Sequence, residues 1–253
     1  MRNWLAMVFP LVLLLAATGR ASGGSSAVEA APESRAVSDE RGIYIVLDGL
    51  GGHASPGTAA TVAVETSQAS LASEKKASKV ALQAALAAAG DAIFKRAQAD
   101  TSLKGMGATG AALWISGKKA YVAHVGDVRV YVFRGGKLTQ LTKDHSLLND
   151  YLKTHPLTKQ EIEDFPMKNV VIRALGMKAS VEVDAAEHPV KAKDLWLVTS
   201  AALTRRLDDA QLAKILAGAK GKADDATAAL SDAASKATST SKSSPAFVVV
   251  AVP

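Results

Sequence analysis

The chain has 253 residues, 48% hydrophobic and 21% charged, with 30 Lys+Arg against 24 Asp+Glu and a formal net charge of +6. That length is enough for one sizeable core, and the composition is that of neither a disordered chain nor a polytopic membrane protein. The absence of cysteine excludes disulfides, zinc–thiolate and iron–sulfur sites, a Cys nucleophile and lipoprotein acylation.

Residues 1–22 open with Arg2 and continue into an apolar run from Leu5 to Ala17. Small residues follow, and Ala17-Thr18-Gly19 is a small-x-small cleavage site, with cleavage after Gly23 as an alternative. This is the pattern of a signal peptide, too short for a comfortable bilayer span. The rival reading is an uncleaved anchor over residues 4–18. The domain is accordingly expected to be periplasmic or secreted, or else membrane-anchored; a membrane partner enters only with the uncleaved leader. Without Arg2 and Arg20 the chain keeps 28 basic and 24 acidic residues, net +4. With no long basic run, that excess does not motivate a nucleic-acid partner. Residues 23–38, rich in Gly, Ser, Ala and Pro, read as a linker, which places the domain at 39–253.

Within the domain, Ile43-Tyr44-Ile45-Val46-Leu47 reads as a buried strand ending at Asp48, followed by a turn with Gly49, Gly51 and Gly52. Ser55-Pro56 is a helix start, with Ser as cap and Pro at the first helical position, and the helix runs to about Ser73. A second helix covers about 78–98. Strands follow at 107–116, 119–125, 128–134 and 137–141, with Gly117-Lys118 and Gly135-Gly136 as hairpin punctuation. Weaker strand candidates lie at 170–174 and 181–188, and a strong one at 194–200. Helices are expected at 208–217 and 224–235, and a closing strand at 247–252. Antiparallel strands bracketed by helix pairs indicate an α+β layered domain.

Val46-Leu47-Asp48-Gly49-Leu50-Gly51-Gly52-His53 resembles the first metal-binding motif of the PPM-type (metal-dependent, type 2C) serine/threonine protein phosphatases, core D-G-M-G-G-H. Further motifs occur in the family's order. Met106-Gly107-Ala108-Thr109 resembles M-G-T-T, and His124-Val125-Gly126-Asp127-Val128-Arg129-Val130-Tyr131 resembles H-V-G-D-S-R-x-Y. The run from Gly136 to Leu147 is similar to the bacterial G-x-L-x-x-L-T-x-D-H-S-L, and the run from Asn169 to Gly176 to N-x-I-T-R-A-L-G. The resemblance implies a four-layer α-β-β-α sandwich of two antiparallel sheets flanked by helices. It implies phosphoester hydrolysis by water bridging two Mn²⁺ or Mg²⁺ ions, a phosphoprotein as partner, and carboxylates converging from loops at one end of the sandwich. Hard cations need oxygen ligands, and two of them ~4 Å apart clamp the phosphate and acidify the water.

The resemblance carries over residue by residue. Asp48 matches the metal-bridging Asp, although a strand-end Asp in a turn is also a common structural role. Gly49 matches the residue whose backbone carbonyl ligates a metal. Glu33 falls at the position of an upstream acidic ligand. Asp127 matches an Asp near an additional metal in bacterial relatives, and is read here as structural, capping a hairpin or pairing with Arg129. Asp144 and His145 are read as holding the loop after the fourth strand. Two departures stand out. Ala201 occupies a metal-binding Asp position in Leu197-Val198-Thr199-Ser200-Ala201-Ala202-Leu203-Thr204, and Ser244 occupies the final metal Asp. No phosphate-binding Arg lies on an upstream strand. The five histidines show no H-x-x-x-H grouping, so no catalytic residue is assigned. The sequence thus reads as a catalytically impaired pseudophosphatase that acts by protein binding with metal weak or absent, the alternative being an active phosphatase with an atypical metal site. Residues 146–166, matching the family's variable flap, form the candidate contact surface.

Overall fold

Continuous apolar runs are required where a strand is covered on both faces, and that is how this chain is built. The structure, a computed structural model, describes residues 25–29, 34–50, 56–237 and 243–253. The strands are β1 (Ser25–Glu29), β2 (Arg35–Ser38), β3 (Ile43–Leu50), β4 (Gly107–Ser116), β5 (Lys119–Val125), β6 (Arg129–Arg134), β7 (Lys137–Gln140), β8 (Asp184–Pro189), β9 (Leu195–Thr199) and β10 (Phe247–Ala251). They form two antiparallel sheets, ordered β1-β10-β9-β6-β7 and β2-β3-β4-β5-β8. The helices are α1 (Pro56–Ala72), α2 (Lys79–Ala99), α3 (Leu147–Tyr151), α4 (Lys159–Glu163), α5 (Ala201–Thr204), α6 (Asp209–Gly218) and α7 (Ala223–Lys236).

The period-2 alternation of each strand sorts its side chains into three cores. In β3, Tyr44 and Val46 enter the layer between the sheets, joined there by Leu113, Val130, Trp196 and Val248. Ile43, Ile45 and Leu47 point the other way, against α1 and α2. In β10, Val248 and Val250 face inward, while Phe247 and Val249 pack under α6 and α7 with Leu212, Leu216 and Leu230. The result is the α-β-β-α sandwich. Ala59 and Ala63 of α1 and Ala81, Ala85 and Ala89 of α2 let the helix pair sit close to each other and to the sheet. Ser78 caps α2 by accepting a hydrogen bond from the Ala81 N–H at 3.1 Å.

Three sequence expectations are corrected. The supposed linker at 23–38 carries two strands: β1 pairs along β10 from Ser25↔Ala251 to Glu29↔Phe247, and β2 pairs along β3 from Arg35↔Val46 to Ser38↔Ile43. Their Ser- and Ala-rich composition conceals edge strands whose order comes from distant partners; Val28 and Ala36 supply the apolar contacts. The segment 170–174 is not a strand. Val171 makes one bridge to Ser146, and Val170 and Ile172 are exposed. The strand expected at 181–188 is β8, shifted to Asp184–Pro189. The leader reading of residues 1–22 lies outside the described residues.

Candidate active-site end of the sandwich

Strand pairing brings the motif positions to one end of the molecule. Asp48, at the end of β3, pairs with Thr109 of β4. Gly126 follows β5 with φ 94°, and a Cβ there would collide with Thr109, so only glycine lets the next residue, Asp127, turn back over the same end of the sheet. In the other sheet, Thr199 at the end of β9 pairs with both Arg129 and Phe247. The Ser200 N–H donates to the Ala246 carbonyl at 2.8 Å, and the Ala246 N–H donates to Ser200 Oγ at 3.1 Å. Ala201 therefore starts α5, and Ser244 precedes β10, at the same end as the two aspartates.

Two cavities are lined by these positions. One, of about 490 Å³, is lined by Asp48, Gly49, Ser243 and Ser244 among others. Gly49 is close against the start of α1, where a Cβ would strike the Pro56 carbonyl. The other, of about 540 Å³, is lined by Asp127, Arg129, Asp144, Ala201 and Arg205, with Lys168 on its rim. Glu33 and His53 lie outside the described residues.

Two carboxylates of this end are paired with arginines. Arg129 grips Asp144 from Nε (2.9 and 3.0 Å) and Nη2 (2.7 Å), and its Nη1 donates to the Tyr131 hydroxyl at 3.0 Å. Asp127 does not pair with Arg129, as its place in the sequence suggested. It accepts from Arg205 Nη2 at 2.9 Å, with its side chain 10% exposed. Arg129 is already committed to Asp144, and Arg205 reaches Asp127 from the first turn after β9. Burial, the charge of Asp127 and a weaker opposing effect of Arg205 leave Asp48 with its pKa pushed up to about 6. Burial also raises Asp127, with Arg205 working to lower it and Asp144 adding to the rise. A buried carboxylate beside another carboxylate resists ionisation, and a guanidinium relieves part of that resistance.

A second cluster was not visible in the histidine spacing. His124 and His145 stack with ring centroids 4.7 Å apart, and with Asp184 they bring three ligand-type atoms within 4.8 Å of one another. Hydrogen bonding decides the character of this trio. The Gly126 N–H donates to His145 Nδ1 at 3.1 Å, so the neutral ring carries its proton on Nε2, 3.3 Å from Asp184 Oδ2. His124 Nε2 donates to the Lys143 carbonyl at 2.9 Å. Arg173 Nη1 donates to Asp184 Oδ1 at 2.8 Å. A metal ligand needs a bare ring nitrogen, and Nε2 of His145 is not one. The cluster is a hydrogen-bonded brace, closed by Arg173, that ties β5, the loop after β7 and β8 together. Burial holds both histidines below their ordinary pKa.

Comparison with known proteins agrees with the architecture. A family model described as protein phosphatase 2C matches residues 31–217. A serine/threonine phosphatase, stp, from Listeria innocua is 33% identical over 186 residues, 70% of this chain and 73% of that protein. The protein phosphatase PhpP of Streptococcus pneumoniae is 35% identical over 117 residues, 46% of this chain and 48% of that protein. Among solved structures, the Mycobacterium tuberculosis serine/threonine phosphatase PstP/Ppp superposes with TM-score 0.76 at 25% identity, covering 90% of this chain and 97% of the other. The catalytic domain of PstP in complex with two manganese ions gives TM-score 0.71 at 24% identity, covering 90% and 96%. From the match over residues 31–217, the sequence identity to bacterial phosphatases and the two helix-flanked antiparallel sheets, the chain belongs to the protein phosphatase 2C family.

Proposed function

We propose that the protein is an exported, catalytically silent member of this family that acts by binding a protein partner, with residues 1–22 as its export signal. The observation that carries the reading is Ala201 and Ser244 standing where the family resemblance expects metal-binding carboxylates, Ala201 at the start of α5 and Ser244 just before β10. Among the described residues, Asp48 and Asp127 are the carboxylates left at these positions, and Arg205 already pairs with Asp127. Two negative charges and one fixed positive charge stand against the charge of about +4 brought by two divalent ions. Altered groups around a bound metal already cost ~10–100-fold in affinity or activity, and lost ligands cost more. The described residues do not fit a binuclear centre, so no step of a reaction is assigned to one.

Binding has a candidate surface in the same region. Among the described residues, six large apolar side chains are exposed, and five of them fall between Tyr151 and Met177: Tyr151, Met167, Val170, Ile172 and Met177. Exposed large apolar groups are candidates for interaction sites. In sequence these residues run from the contact region expected at 146–166 to just beyond it, and a phosphoprotein is the partner class the family suggests.

The alternative is a working Mn²⁺- or Mg²⁺-dependent phosphatase with an atypical site, favoured by the retained Asp48 and Gly49. Hydrolysis of a phosphothreonine peptide by the protein in Mn²⁺ separates the two. The silent reading predicts turnover no greater than that of Asp48→Ala; turnover that Asp48→Ala abolishes defeats it.

A further inference from the structure

If divalent ions do not neutralise the acidic end of the sandwich, something else must, because buried carboxylates are tolerated only when paired. Arg205 is a cation in the required place. Arg205 Nη2 lies 2.9 Å from Asp127 Oδ2, and Arg205 is itself 39% exposed at its side chain. Arg205 and Ala201 line the same cavity. They also stand one helical turn apart: the Arg205 N–H donates to the Ala201 carbonyl at 2.9 Å, so the two side chains share a face of α5 and its C-terminal extension. Ala201, 6% exposed, offers no oxygen to compete for that guanidinium. Asp144, the neighbouring carboxylate, is already held by Arg129, and Arg205 is the guanidinium that donates to Asp127.

We propose that Arg205 is the resident counter-ion of this site: its guanidinium, fixed by the α5 turn, holds the charge position at Asp127 that would otherwise call for a metal ion. The substitution of Ala201 and the presence of Arg205 are then two halves of one change. Alanine clears space and removes a rival carboxylate, and arginine one turn later fills the electrostatic role. The inference rests on reading the site as one that does without metal, and it adds the group that makes this tolerable.

The test compares the wild-type protein with Arg205→Gln and Arg205→Lys, by thermal melting in chelator and in millimolar Mn²⁺, and by Mn²⁺ binding followed through the free-ion paramagnetic resonance signal. Wild type is expected to melt at the same temperature in both conditions. Arg205→Gln is expected to melt lower in chelator, to recover in Mn²⁺, and to bind Mn²⁺ about tenfold or more tightly than wild type, since it leaves the buried Asp127 carboxylate without its cation. Arg205→Lys keeps the charge and should behave as wild type. If Arg205→Gln melts and binds Mn²⁺ as wild type does, the proposal is overturned. If Arg205→Gln fails to fold with or without Mn²⁺, Arg205→Lys decides: wild-type melting and Mn²⁺ insensitivity support the counter-ion, and their loss overturns it. These readouts are independent of turnover. Hydrolysis by wild type would defeat the silent reading while leaving the Arg205→Gln comparison intact.

Discussion

Asp48→Asn tests whether the acidic end is held in tension in the metal-free protein. Burial, and then the charge of Asp127, push the Asp48 carboxyl up to about 6 from an ordinary 3.8. At about 1.36 kcal/mol per pH unit, that gap amounts to about 3 kcal/mol, and screening at the partly exposed edge of the carboxyl reduces it to about 2 kcal/mol. The sign follows from proton linkage. Below about pH 4 the group is protonated in both folded and unfolded chains and contributes nothing. As pH rises towards 6 the unfolded chain ionises first, so the folded state loses relative stability, and the loss stays complete above that pH. Asparagine removes the penalty. In chelator the variant should melt with wild type near pH 4 and above it at about pH 7.5, by roughly 4–8 °C at 2–4 °C per kcal/mol for a chain of this size. The assay is calorimetry or circular dichroism across that pH range. Equal melting at both pH values would refute the electrostatic argument. Destabilisation by Asp48→Asn that appears only in Mn²⁺ would show that the wild-type carboxylate was holding a metal.

Further predictions concern the frame around the site. Asp144→Ala leaves the half-buried Arg129 without its carboxylate and should cost about 1–3 kcal/mol, read as a lower urea midpoint at constant slope. Gly126→Ala requires a side chain at φ 94° against Thr109; strain and overpacking together should cost about 3 kcal/mol, measured the same way. Because burial depresses His124 and His145, both bind protons more weakly folded than unfolded. Stability should therefore fall as pH drops below about 6.5, and the His124→Gln/His145→Gln pair should flatten that limb of the melting profile.

The fold was largely legible in the sequence where strands are local and both faces are buried. Gly107–Ser116 and Lys119–Val125 coincide with the sequence reading because Gly117-Lys118 ends one strand and starts the next. β1 and β2 were hidden because an edge strand with few large apolar residues is ordered by its partners, β10 and β3, one of them more than 200 residues away. Segment 170–174 misled in the opposite direction. Its Val-Val-Ile run has the composition of a strand, but Val170 and Ile172 are exposed. At the site, the positions of Asp48, Asp127, Ala201 and Ser244 followed from motif order alone. Partner choice did not: Arg129 was the nearer candidate for Asp127 in sequence, and the pairing with Arg205 arises from two sheets meeting at one end. The one-turn spacing of Ala201 and Arg205 was the signal available in the sequence. The His124–His145 stack had no such signal, since it joins β5 to the loop after β7 across the sheet end.

The measurement that bears most directly on the account is calorimetric titration of the metal-stripped protein with Mn²⁺ near neutral pH. An acidic end with two opposed carboxylates and a guanidinium among them predicts no saturable uptake into the millimolar range. Two ions taken up at micromolar concentration would contradict it.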